Sequence, residues 1–204
     1  IVSEELEERV DDRSYFGAVL DDVASRVAVD ERRVFVTGIS RGGQASYFMA
    51  CSFPDRIRAI AAVAMPLPLY MKDDCETGKP VGVTIMNGTE DPLVPYDGGT
   101  IEIGESSRDE VLSTSDSIAL WADRNGCDLD EKTTSEIDPA DDEIRVEKTE
   151  WRSCSGAPIV LYSLVGGGHT WPSGLQYLPE FIVGKVGRDI DGSVEAWRFF
   201  SEFE

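Results

Sequence analysis

The sequence predicts an α/β fold built on a mainly parallel sheet, and three observations carry that expectation. Short apolar runs that suit strands buried on both faces alternate with helical patterns. The run Val34, Phe35, Val36 leads into Gly38-Ile39-Ser40-Arg41-Gly42, a G-x-S-x-G turn, and then into the helix-like segment 43–51. The single histidine, His169, sits on the glycine-rich stretch Gly166-Gly167-Gly168 directly after the apolar run 159–164.

Before the turn, residues 1–33 hold one helical pattern, with Phe16, Val19, Leu20, Val23 and Val27 expected on one face. Residues 59–64 form a continuous apolar strand that ends at Met65-Pro66. Residues 80–86 form another and run into the loop Asn87-Gly88-Thr89-Glu90-Asp91-Pro92. A helix over about 115–125 is stopped by Asn125-Gly126 in the manner of a left-handed cap. Residues 143–151 alternate as a strand with Ile144 and Val146 inward. A last helix starts near Asp191-Gly192-Ser193, with Val194, Trp197 and Phe200 expected to cover the sheet.

A serine on a strained strand-to-helix turn presents its hydroxyl above the sheet, and the amides opening the next helix favour developing negative charge. Any Cβ at the flanking glycines is expected to collide with neighbouring backbone. A serine needs a base to take its proton and an acid to orient the base. His169 is the candidate base. The acid belongs between the two in chain order: Asp91 is preferred because Pro92 and Pro95 stiffen its loop, with Glu90 and Asp97 as rivals. The order Ser40, Asp91, His169 is that of the α/β-hydrolase fold, with helices on both faces of the sheet.

The blocks Val36-Thr37-Gly38-Ile39-Ser40-Arg41-Gly42-Gly43, residues 87–96 and Gly166-Gly167-Gly168-His169-Thr170-Trp171-Pro172 resemble the polyhydroxybutyrate depolymerase and feruloyl (acetylxylan) esterase family of carboxylesterases. The likeness implies Ser40 as nucleophile, Asp91 as acid and His169 as base, with the Arg41 backbone N–H donating to the oxyanion. Two departures stand out. The family carries further strands and an oxyanion loop before the elbow, so the single domain over 1–204 is expected to be incomplete at its N-terminus, and the elbow strand to form an open apolar edge. Upstream polypeptide or a second copy in a homo-oligomer would then cover that edge. Arg41 places a charge where a small or amide side chain is expected.

Trp171, Gln44 and Tyr96 are candidate substrate-binding residues, and residues 173–179 a pocket wall. Trp171 has two roles open to it, lining a cleft or packing the His169 loop. The expected reaction is hydrolysis of a feruloyl, acetyl or polyester-type ester through an acyl-enzyme, without cofactor or metal. The rival readings are a catalytically weak binding module of the same fold and a peptidase.

Composition narrows the partners. The 204 residues carry 39 acidic and 19 basic side chains, a formal net charge of −20. Nucleic acid and anionic membrane surfaces are excluded by the lack of a basic face. The acidic run 136–143 lacks the glycine and spacing of a calcium loop and reads as solvated. Four cysteines permit three pairings; local folding favours Cys51 with Cys75 and Cys127 with Cys154, as does the family likeness. Bridges would imply a secreted or periplasmic protein, although no signal peptide is visible.

Overall fold

The computed structural model describes residues 11–103, 106–140 and 142–203. The chain divides into two compact units, Ile1–Glu31 and Arg32–Glu204. The first holds α1 (Asp12–Arg26), opened by Asp11, whose carboxylate accepts the Ser14 N–H at 3.0 Å. None of its residues is buried. Val27, expected to continue the apolar face, instead closes the helix in extended conformation.

The second unit is a mixed α/β structure, compatible with a hydrolase fold. Its strands are β1 (Phe35–Ile39), β2 (Ala59–Val63), β3 (Gly82–Gly88), β4 (Gly99–Ile103), β5 (Ser106–Val111), β6 (Thr133–Ile137), β7 (Arg145–Trp151) and β8 (Ile159–Val165). Its helices are α2 (Arg41–Ser52), α3 (Lys72–Glu76), α4 (Thr114–Asn125), α5 (Glu180–Val183) and α6 (Gly192–Phe200). Six strands form one sheet in the order β1-β2-β3-β8-β7-β6. The first four run parallel and the last two antiparallel. β4 and β5 form a separate antiparallel hairpin.

Strand alternation sorts the core into two layers. Ala59, Ala61, Val63, Met86, Tyr162 and Leu164 pack with Phe199, Phe200 and Phe203 at the end of α6, and Phe35 stacks on Phe200 with ring centroids 4.7 Å apart. Their neighbours Ile60, Val83 and Ile85 point the other way and are fully buried. On α2 and α4, Tyr47 stacks against Trp121, both fully buried. β1 lies at the sheet edge, paired on one side by β2, with Phe35, Val36 and Ile39 half-buried and Thr37 exposed.

The inward face of α6 differs from expectation. Val194 and Trp197 are 44% and 60% exposed, whereas Ala196, Phe199 and Phe200 are buried. At 3.6 residues per turn, each three-residue step slips back by about 60°, so residues 194 and 200 stand about 120° apart. Residues 192, 195/196 and 199/200 share the inner stripe instead. The cap of α4 is as expected: Gly126 is left-handed at φ 63° and its N–H reaches the Ala122 and Asp123 carbonyls.

Disulfides join Cys51 to Cys75 and Cys127 to Cys154, the pairing favoured by the sequence. Beside the first lies Arg124, a buried cation bonded to carbonyls rather than to a carboxylate: Ala50 at 3.2 Å, Cys75 at 3.1 Å and Lys79 at 2.9 Å. These contacts tie α4 to the last turn of α2 and to α3. Burial pulls its pKa down to about 10. Arg124→Met would strip the donors from buried carbonyls, each worth about 1–3 kcal/mol when left unpaired. With both disulfides intact, a loss of about 2–4 kcal/mol is expected in urea unfolding.

Elsewhere in this unit, hydrogen bonds of the Asp189 and Asp142 carboxylates lace Ala140 and Asp142, before β7, to the segment after α5. Asp189 Oδ1 accepts the Ala140 N–H at 2.9 Å, and Asp142 Oδ2 accepts the Arg188 N–H at 2.8 Å. Asp189 Oδ2 is buried without a hydrogen-bond partner among the described residues. Burial first, with Asp142 and Asp138 adding repulsion, raises its pKa above the ordinary value. A carboxyl whose folded-state pKa is raised costs stability while charged, and the cost vanishes as pH falls through that pKa. Asp189→Asn is therefore expected to raise the thermal midpoint at neutral pH, by about 2–4 °C per kcal/mol recovered. The gain should shrink as the solution is acidified, a trend that scanning calorimetry across pH would follow.

Candidate active site

β1, β3 and β8 are parallel, so their C-terminal ends open on the same end of the sheet, where ligands of such folds sit. Ser40 follows β1 directly, at φ 55° and ψ −116°. A non-glycine residue so placed costs about 1–3 kcal/mol and is held only by its surroundings. Its N–H donates to the Val63 carbonyl at 2.9 Å, and its own carbonyl accepts the Gln44 N–H at 2.9 Å as α2 begins. A Cβ at Gly38 would stand 2.6 Å from Gly42 Cα, so no larger residue fits there. Gly42, by contrast, has open space where its Cβ would be. The second tight position is Gly43, whose Cβ would meet Met65 Cβ at 2.8 Å, because the helix presses on the end of β2 at that residue.

Asp91 and His169 follow β3 and β8, which are neighbours in the sheet. The two loops are stitched together by backbone: the Thr89 N–H donates to Leu164 and the Glu90 N–H to Gly167, both at 3.0 Å. A Cβ at Gly168 would fall 2.2 Å from the Val183 carbonyl oxygen, so glycine permits the approach that sets the next residue. The His169 N–H donates to that carbonyl at 2.6 Å. Asp91 Oδ2 then lies 2.7 Å from His169 Nδ1, with both side chains at most 4% exposed. The other oxygen, Oδ1, accepts the N–H groups of Leu93 and Val94 at 2.8 and 2.9 Å. A carboxylate only accepts, so Nδ1 is the donor in this bond and Nε2 is the ring nitrogen left for other partners. Of the three acids considered, Asp91 meets the histidine, while Glu90 and Asp97 are exposed.

Ser40 and His169 line one cavity of about 600 Å³. Its walls are mostly apolar, with Ile39, Met65, Leu93, Val94 and Ile101 among them. Trp171 lines the cavity, packs on the core, and donates from Nε1 to Ser193 Oγ at 3.2 Å. Of the 173–179 segment, Leu175, Tyr177 and Leu178 form wall. Gln44 and Arg41 also line the cavity. Tyr96 does not; its hydroxyl pairs with Ser163 Oγ at 2.7 Å. Asp109, on the β4–β5 hairpin, does line it and has no sequence signal, since nothing in a polar stretch announces that a hairpin will fold over a site. Among the described residues no cluster of three or more His, Cys, Asp or Glu could hold a metal ion. No helix among them is long and apolar enough to cross a membrane.

No protein-family model matches the chain. Among curated proteins, it is 30% identical over 189 residues to "Putative esterase NocK" of Nocardia uniformis subsp. tsuyamanensis, covering 88% of this chain and 54% of that protein. It is 26% identical over 161 residues to Feruloyl esterase B of Piromyces equi, covering 78% of this chain and 29% of the relative. To Feruloyl esterase D of Neurospora crassa it is 27% identical over 194 residues, 95% of this chain and 56% of the other. The curated relatives the chain matches are thus a putative esterase and several feruloyl esterases, at 24–30% identity. It spans about half the length of most of the curated relatives it matches.

Tyr177 braces this arrangement, its hydroxyl donating to the His169 carbonyl at 3.0 Å. Burial, with the nearby Asp91 charge, raises the phenol pKa, so the donor proton is retained at neutral pH. Because the chain has one histidine, the imidazole can be followed by NMR without ambiguity. A protected Nδ1 proton is expected in the wild type and should vanish in Asp91→Asn. Tyr177→Phe should keep it but speed its exchange by about tenfold, the worth of one hydrogen bond. Equal exchange in wild type and Tyr177→Phe would remove Tyr177 from the bracing role.

Proposed function

We propose that this protein is a serine carboxylesterase of the α/β-hydrolase fold, acting on esters of aromatic acids of the feruloyl type. The observation that carries the reading is the buried Asp91–His169 hydrogen bond, opening on the same cavity as a serine held at positive φ. The names of its relatives support ester hydrolysis. An apolar cavity of about 600 Å³ suits an aromatic acyl group.

In this mechanism the Ser40 hydroxyl attacks the ester carbonyl carbon while His169 Nε2 takes its proton. Asp91 keeps Nδ1 protonated and stabilises the imidazolium that forms. The Arg41 N–H, at the start of α2, donates to the oxyanion of the tetrahedral intermediate. His169 returns the proton to the departing alkoxide, leaving an acyl group on Ser40 Oγ. Water, deprotonated by the same nitrogen, attacks the acyl carbon and releases the acid. None of these steps calls on a cofactor. Two disulfides fit an oxidising, secreted or periplasmic setting.

A fluorophosphonate probe should label Ser40 in the wild type and leave Ser40→Ala unmarked. On methyl ferulate and p-nitrophenyl acetate, Ser40→Ala should lose at least about 10³ in kcat/KM, and Asp91→Asn about 10³–10⁴. A folded protein that is neither labelled nor active would favour a binding module of the same fold.

A further inference from the structure

We infer that Arg41 makes this cavity selective for esters that carry a carboxylate near the scissile bond, an inference that rests on the esterase reading above. Arg41 and Asp109 are the two ordinarily charged side chains, of opposite sign, among the described lining residues. Arg41 is the first residue of α2, where the helix dipole disfavours a cation. The first turn holds no acidic residue to offset it. Among the described residues Arg41 makes no ion pair, in a chain with 39 carboxylate side chains available. A charge set against the local field and left without a counter-ion beside the candidate nucleophile is accounted for if the counter-ion arrives with the substrate.

Gln44 shows how the guanidinium is held. Its Oε1 accepts from Arg41 Nη1 at 3.3 Å, and its Nε2 donates to the Tyr70 hydroxyl at 2.5 Å. The amide is engaged at both ends, so Gln44 acts as a brace and the group offered at this part of the wall is the guanidinium. One of its five N–H donors serves Gln44, and the planar fork that remains matches a carboxylate in two-point contact. The net charge of −20 repels anions at long range, but at physiological salt that field is screened beyond roughly 8 Å, whereas direct contact is screened far less.

The carboxylate can belong to the alcohol or to the acyl portion, and paired substrates separate the two. For the alcohol side, 4-acetoxybenzoate is compared with 4-acetoxybenzamide. For the acyl side, the 4-nitrophenyl hemiester of glutaric acid is compared with its primary amide. The readout is the ratio of kcat/KM for the anionic to the neutral member, which cancels any loss common to both. In Arg41→Gln that ratio should fall about fivefold to tenfold for at least one pair, as expected for a charge-assisted contact at a partly exposed site, with Arg41→Lys intermediate. Unchanged ratios in both pairs would overturn the inference while leaving the esterase reading intact. If none of the four esters shows Ser40-dependent turnover, the esterase reading stands or falls separately, on methyl ferulate. Calorimetric binding of the two anionic esters to Ser40→Ala then decides: equal affinity with and without Arg41→Gln also overturns the inference, and weaker binding without Arg41 supports it.

Discussion

The hydrogen bond between Asp91 and His169 depends on β3 and β8 being adjacent, although about seventy residues separate them in the chain. Adjacent parallel strands stand about 4.8 Å apart, so loops leaving their C-terminal ends can exchange backbone hydrogen bonds without a long reach. The glycines of the two loops reduce the remaining distance to van der Waals contact. Asp91 is fixed by the amides of Leu93 and Val94 on one oxygen before it meets the imidazole with the other. A carboxylate satisfied in this way can remain buried, because desolvation is offset by charge-assisted bonds. Ser40 enters from β1, two strands away from β3, and shares the lining of one cavity with His169.

Much of this was legible in the sequence, for physical reasons that differ by element. β2 is a continuous apolar run and β3 and β8 are largely apolar, because both of their faces are buried, and such runs are not read as solvated loops. The elbow was legible because a strained turn restricts residue type, yet the restriction falls on Gly38 and Gly43 and spares Gly42. β6, with the sequence Thr-Thr-Ser-Glu-Ile, was illegible: four of its residues are exposed, and pairing with β7 rather than burial makes it a strand. The hairpin that brings Asp109 to the cavity was hidden for the same reason. For α6, the three-residue spacing picks out Phe200 correctly but not Val194 and Trp197, and only the 3.6-residue period adds Ala196 and Phe199 to the inner face.

Polar burial away from the site follows two different solutions. Arg124 is satisfied by neutral groups, chiefly carbonyls, which spread its charge over α2, α3 and the Lys79 turn. Asp189 has one satisfied oxygen and one buried orphan beside further carboxylates. Arg124 therefore strengthens the scaffold under the disulfide, whereas Asp189 is a local weakness in the lacing that reaches the His169 loop through the Val183 and Lys185 carbonyls. A chain this acidic has few cations to spare, and it does not place one at Asp189.

The strand that delivers Ser40 is bonded to one neighbour only among the described strands, while β3 and β8 are each bonded on both sides. Local openings of a native protein start where the fewest bonds must break together. Within the described sheet, an opening at β1 would carry the elbow with it while Asp91 and His169 stay joined across β3 and β8. A probe placed at the elbow and a probe placed at the sheet centre would then follow separate curves in the same molecule.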